Sequence, residues 1–167
     1  MKSLPFKISK RTIAAIILFI IAAIFTLTVV SRRGWYLTVR DGDSKAVYAR
    51  YSVADGDEFS IGFIHSVNKS PLTDIYQIRE HKIYVVRTIY YGFGAGVQTE
   101  IEDGQTLTYG DKGEMIISGF DREIPHLSYI VGTVSDHVLT IHGKEISLRD
   151  LCGRNSTVEF TCEFQPF

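Results

Sequence analysis

From Trp35 to Phe164 the chain alternates apolar and polar residues with period two, interrupted at short intervals by turn signals. Such alternation suits extended strands, whose successive side chains point to opposite faces, and no helix can present it as one apolar stripe. Trp35, Leu37 and Val39 alternate with Tyr36, Thr38 and Arg40, and Asp41-Gly42-Asp43 then marks a turn. A second strand is predicted over residues 46–53, closed by Asp55-Gly56-Asp57. In the third, Phe59, Ile61, Phe63 and His65 share one face. Residues 72–79 and 83–91 flank a turn at Glu80-His81-Lys82, and residues 106–109 and 114–120 flank Gly110-Asp111-Lys112-Gly113. Further strands follow over 127–133, 137–141, near Glu145-Ile146 and over 157–164. One helical turn is expected between Ser147 as cap and Gly153 as stop. About ten short strands at this spacing predict an all-β sandwich or barrel.

Residues 12–30 break that pattern with nineteen positions free of charge. As a helix they span about 28 Å, against roughly 30 Å for a bilayer's hydrocarbon core. A cleaved signal peptide would have a shorter apolar run ending in small residues. This run ends Thr28-Val29-Val30-Ser31, which favours an uncleaved anchor in the lipid bilayer. Four basic residues precede it (Lys2, Lys7, Lys10, Arg11) and two follow (Arg32, Arg33). That excess predicts a cytoplasmic N-terminus and an extracytoplasmic C-terminal domain. The expected organisation is a basic N-terminus over 1–11, a transmembrane helix over 12–30 and a β domain over 35–167. A spacer of four residues reaches about 14 Å at most, which holds the β domain near the membrane.

Charge excludes one class of partner. Beyond residue 33 the chain carries twelve Lys and Arg against nineteen Asp and Glu. Nucleic-acid binding needs a basic face, so it is not expected. The two cysteines, Cys152 and Cys162, are a disulfide candidate in an extracytoplasmic domain. The alternative reading makes Cys162 a small buried apolar residue and Cys152 a helix-end thiol.

Two stretches are unusual for plain scaffold. His65-Ser66-Val67-Asn68-Lys69-Ser70-Pro71 ends an apolar strand in a polar cluster, and Gly92-Phe93-Gly94-Ala95-Gly96 ends another in a glycine-rich turn. His65 and Ser66 are adjacent on a strand and face opposite ways, a poor arrangement for a base and its nucleophile. Asp74, on the next strand, is placed to orient His65. No histidine or cysteine pair has metal-ligand spacing, although His65, Asp74 and a distant histidine remain a possible set. The glycine stretch lacks the Lys-Ser/Thr ending of a phosphate loop. Its glycines allow positive φ or a close backbone approach, and its amides allow an anion nest. His65, Asp74 and Gly94-Ala95-Gly96 are expected to lie together, at strand ends where functional loops concentrate. No cofactor and no enzymatic activity are expected.

His65-Ser66-Val67, Lys69, Pro71, Tyr76 and Phe93-Gly94-Ala95-Gly96-Val97 together resemble an uncharacterised bacterial domain-of-unknown-function family. Its members are short membrane-anchored proteins, often encoded beside tripartite ATP-independent periplasmic (TRAP) transporters of the TAXI type. The likeness in pattern covers most of residues 35–151. The family usually has Glu at the position of Asp74, and often Pro at that of Gln98. The resemblance implies an accessory subunit, binding or structural, whose partner is an integral membrane transporter subunit. Its candidate contact residues are His65, Ser66, Asn68, Lys69, Asp74, Tyr76, Phe93, Gly94, Ala95 and Gly96. The alternative is a free-standing ligand- or metal-binding module of the cell surface.

Overall fold

The computed structural model describes residues 9–31, 33–67, 69–92, 98 and 100–166. The chain divides into an N-terminal unit built on helix α1 and a β unit of residues 35–163. Helix α1 (Lys10–Ser31) has 22 residues, a length of about 33 Å. Ser9 begins it, its Oγ accepting from the Thr12 amide at 3.1 Å. Over Lys10–Leu27 the mean hydropathy is 2.1, and the helix is long and apolar enough to cross a membrane. Its apolar side chains cover every side, so no stripe is reserved for a soluble core.

The described residues of the β fold form eleven strands in two sheets, a sandwich-like architecture. The strands are β1 (Gly34–Asp41), β2 (Val47–Val53), β3 (Glu58–Ile64), β4 (Pro71–Arg79), β5 (Lys82–Tyr90), β6 (Thr106–Tyr109), β7 (Met115–Glu123), β8 (Leu127–Ile130), β9 (His137–Ile141), β10 (Lys144–Ser147) and β11 (Thr157–Gln165). The smaller sheet runs β2-β1-β11-β8 and the larger runs β10-β9-β3-β4-β5-β7-β6. Helix α2 (Leu148–Cys152) is the predicted single turn, with Ser147 accepting from the Asp150 amide and Gly153 at φ 89° closing it. Residues 131–133, expected to extend a strand, lie beyond the end of β8. Val131 still exchanges backbone bonds with Ser156 and Asn155, and beyond it Gly132 and Thr133 form part of a cavity wall. His142 is not on β9 either; with Gly143 it forms a turn at positive φ.

Register places inward rows across the larger sheet; beyond the Ile78–Ile83 pair, three follow toward the open end. One runs Ile141, Phe59, Tyr76, Val85. The next runs Leu139, Ile61, Asp74, Thr88, Ile117, Leu107. The third runs His137, Phe63, Leu72, Tyr90, Met115. The opposite face is more polar and carries the Arg87–Glu58 ion pair at 3.0 Å. Apolar residues of the rows bury in two clusters of different make-up. The large one joins both sheets: Leu37, Val39, Val158 and Phe160 meet Phe59, Ile61, Ile78 and Leu139. The small one, Leu72, Tyr90, Met115 and Ile117, is drawn from the larger sheet alone. Among the described residues, the smaller sheet therefore covers one end of the larger and places no strand over the other.

A pair of irregularities determines what points inward at the open end. From the Arg79–Lys82 pair, a regular hairpin would set Asp74 opposite Arg87. A register shift at Ile75/Tyr76 instead pairs Asp74 with Thr88 and Ile75 with Arg87. β5 and β7 slip at the same level, between Val85 and Arg87. Bulges bend a strand and re-aim its side chains. Here the shift sends Arg87 to the outer face and leaves Asp74 inward with no cation opposite it.

The cysteines are free thiols rather than a disulfide, which corrects one sequence expectation. Both pack, half-buried, against the large cluster as small apolar residues. Burial, first, pushes each thiol up to about 11, helped by Asp41 at Cys152 and by Asp55 and Glu163 at Cys162. Asp41 and Asp55 flank opposite ends of the β1–β2 hairpin, so the two thiols face different surroundings.

Candidate functional site

Over the open end lies a cavity of about 650 Å³. Its floor is the inward face of the larger sheet: Leu72 and Asp74 from β4, Thr88 and Tyr90 from β5, Ile117 and Phe120 from β7. One wall is the loop after β3, with His65, Ser66 and Lys69; another is residues 132–135, which continue to His137 at the start of β9.

The loop walls are tied down. The His65 amide donates to the Ser70 carbonyl and the Lys69 amide to the His65 carbonyl, both at 2.9 Å. Lys69 takes φ 53°, closing this turn. The Ile64 amide donates to Ser135 Oγ at 3.0 Å, which joins the two walls. Arg149 of α2 donates to the Val134 carbonyl at 2.9 Å and to that of Gly132 at 3.4 Å. Asp136 anchors the same helix end, accepting from Ser147 Oγ at 2.5 Å and from the Arg149 amide at 3.0 Å. Burial works against the Asp136 charge, but these bonds outweigh it and hold the carboxyl below its ordinary 3.8. Gly132 has no space for a side chain, since a Cβ there would meet the Ser135 carbonyl oxygen.

Asp74 is the cavity's own acid. Its Oδ1 accepts from Thr88 Oγ1 at 2.8 Å and its Oδ2 from the Tyr129 hydroxyl at 3.0 Å. Tyr129 and Tyr76 hydroxyls are 2.6 Å apart. With the Tyr129 proton committed to Asp74, Tyr76 is the donor in that pair, and a chain runs Tyr76 to Tyr129 to Asp74. Burial raises the Asp74 carboxyl above its ordinary value, and the Thr88 and Tyr129 bonds offset only part of that rise. Burial also raises Tyr76 and Tyr129, so both stay protonated donors.

His137 is the second polar group inside. The Gly132 amide donates to its Nδ1 at 3.1 Å, so the neutral ring carries its proton on Nε2. Burial lowers its pKa, which keeps it neutral at pH 7. Phe63 stacks on the ring at 4.7 Å and Tyr129 lies 5.6 Å from it.

Of the residues singled out from sequence, His65, Ser66, Lys69 and Asp74 line this cavity together. Tyr76 is buried beside it and reaches it through Tyr129. Asn68, Phe93, Gly94, Ala95 and Gly96 lie outside the described residues. The expected orientation of His65 by Asp74 is not formed: the hydrogen bonds of Asp74 come from Thr88 and Tyr129. The His65 Nδ1 accepts from the Val67 amide at 3.4 Å. Among the described residues no group of three or more His, Cys, Asp or Glu is placed to hold a metal ion. Thr88, Tyr129 and Ser135 were not legible as site residues. Only the bulge brings Thr88 opposite Asp74, and Tyr129 comes from the other sheet, 55 positions along the chain.

Fold and site define a class: a β-sandwich with an amphipathic cavity at its uncovered end and an apolar N-terminal helix. Residues 59–148, more than half of the chain, match the family described as Domain of unknown function (DUF1850), and the chain belongs to that family. The matched segment contains the larger sheet, save Glu58 at the start of β3, and every described lining residue of the cavity. No curated protein and no solved structure matches the chain.

Proposed function

We propose that this protein is a membrane-tethered binding module whose cavity receives a small molecule, acting as an accessory subunit of a TRAP-type solute transporter. The observation that carries the binding reading is the cavity itself. Its volume, about 650 Å³, falls within the roughly 300–1,000 Å³ of small-molecule sites. Its apolar walls hold a few fixed polar groups, the usual division between affinity and orientation. Binding is favoured over catalysis because the His65 Nδ1 accepts from the Val67 amide and the donors to Asp74 are Thr88 and Tyr129, so no base with its orienting partner is aligned on Ser66. The transporter partner is supported by the sequence resemblance alone. Helix α1 is the membrane tether, with the N-terminus cytoplasmic by the basic excess before it.

The test is thermal melting of the full chain in detergent against fractionated small molecules. A fraction that stabilises the wild type and not Ile117→Trp, which fills the floor, supports the cavity as the site. Equal shifts in both proteins, or none, defeat it. Deleting the gene is expected to lower uptake through the neighbouring transporter; unchanged uptake leaves a free-standing binding module. Cysteine labelling in the Asp111 turn is expected without permeabilising the inner membrane.

A further inference from the structure

We infer that the cavity selects ligands carrying a protonated amine on an apolar body, with the ammonium seated against Asp74. This rests on the cavity being a binding site and names the chemical class it takes.

Asp74 sits mid-row on the inward face, between Ile61 and Thr88, with Ile117 beyond Thr88. A carboxylate taken out of water needs hydrogen bonds and a countercharge. Thr88 and Tyr129 supply the bonds, one to each oxygen. No ion pair among the described residues involves Asp74. The register shift turns Arg87, which a regular hairpin would set opposite it, to the outer face and Glu58. Each carboxylate oxygen retains a second acceptor site. An ammonium has three donors and the missing charge, and it is the group that completes this arrangement.

The remainder of the lining specifies the body. Phe63, Leu72, Tyr90, Ile117 and Phe120 surround the floor with apolar and aromatic surface. His137, with its proton on Nε2 and its pKa lowered by burial, adds no positive charge to the cavity. Lys69 is the cation of the lining, but it is exposed on the loop at the mouth, where water and salt screen it. Asp74 lies three residues inside β4, which places its Cα about 10 Å along the strand from Pro71. The acid is thus read by the inner end of a ligand, and the lysine by solvent or the outer end.

The experiment titrates the full chain in detergent with three probes of one shape: 3-phenylpropylamine, 3-phenylpropanol and 3-phenylpropionate. The amine is expected to bind at least about tenfold more tightly than the alcohol, as for a hydrogen bond to a charged group. Asp74→Asn should abolish that preference, bringing amine and alcohol affinities within about twofold of each other, a difference too small for a charged bond. Asp74→Ser provides the same reading if the asparagine variant does not fold. Amine and alcohol binding equally, or the carboxylate binding tightest, with Asp74→Asn without effect, overturns the ammonium inference and leaves the cavity reading standing. No probe binding, and no change at backbone amides around the cavity, overturns the inference and counts against the cavity as well.

Discussion

The two ends of the sandwich bury similar residue types and do opposite things with them. At the covered end Phe59, Ile61 and Leu139 of the larger sheet face Leu37, Val158 and Phe160 of the smaller, and the space closes. At the open end, among the described residues, no strand of the smaller sheet joins the Leu72, Tyr90 and Ile117 cluster, and a cavity of about 650 Å³ lies over it. The same alternation produced both floors. What differs is the second layer, and with it the tolerance for charge. Beside the cavity wall, Asp136 serves structure: it caps α2 through Ser147 and the Arg149 amide, with the Arg149 cation close to it. Asp74 retains acceptor capacity and faces a cavity. Stability is concentrated where both layers meet, and the site occupies the end that contributes less to it.

The largest expected effect tests that division directly. Phe160→Ala at the covered end should cost about 3–5 kcal/mol, the range for truncating a buried aromatic. Phe63→Ala at the open end leaves a side chain that already borders a cavity, and should cost no more than about 2 kcal/mol. Urea unfolding of both variants measures the pair. Equal costs would break the comparison.

Gly132→Ala comes next. Its Cβ would meet the Ser135 carbonyl oxygen, so residues 132–135 must shift. The expected cost is about 1–3 kcal/mol, as for overpacking. Amide shifts of Ser135 and Ile64 should move, because their bond joins the two walls. Unmoved shifts with unchanged stability would show that the wall is not braced as described.

The two carboxylates should respond to pH with opposite signs. The Asp74 carboxyl is raised in the folded state, so its contribution is full below 3.8 and is lost as pH rises through the raised value. Asp74→Asn should therefore stabilise at pH 7 by about 1 kcal/mol, the usual trade between function and stability. The gain should shrink as pH falls toward 3.8. Asp136 is lowered, so its contribution is present above 3.8 and lost as pH falls below it. Asp136→Asn should destabilise at pH 7 by about 1 kcal/mol, the size of a lost helix cap. Melting curves from pH 3 to pH 8, as about 0.5-unit steps across the carboxylate range, distinguish the signs.

The smallest effect concerns the thiols. Intact mass after alkylation of the unfolded chain without reductant should show both Cys152 and Cys162 modified. In the folded protein the reaction should be slow at pH 8, since both thiols are pushed up to about 11. Cys162→Ala should cost no more than about 1 kcal/mol, as for trimming one half-buried atom. A mass showing a bridge would place the two sulfurs together after all.

Much of this was readable along the chain. The strands, the Ser147–Gly153 helical turn and the apolar helix follow from signals within a few residues of each other: period two, a cap and its stop, a run without charge. The polar cluster at His65–Lys69 was legible because it interrupts an apolar strand, and Asp74 because it is an acid on the next strand, placed to orient His65. Their roles were not. A sequence pairs Asp74 with Arg87 as readily as with Thr88, since a one-residue slip reverses every side chain beyond it. Nor does it tell which strands cover which. Tyr129 meets Asp74 because β8 joins the sheet opposite, and local propensity has no term for a contact between positions 55 apart. The sequence by itself determined the helix, the strands and their two-faced character, because these depend on local periodicity. Tertiary structure alone decided the bulged register, the uncovered end and the carboxyl inside it, because these depend on how two sheets share one hydrophobic interior.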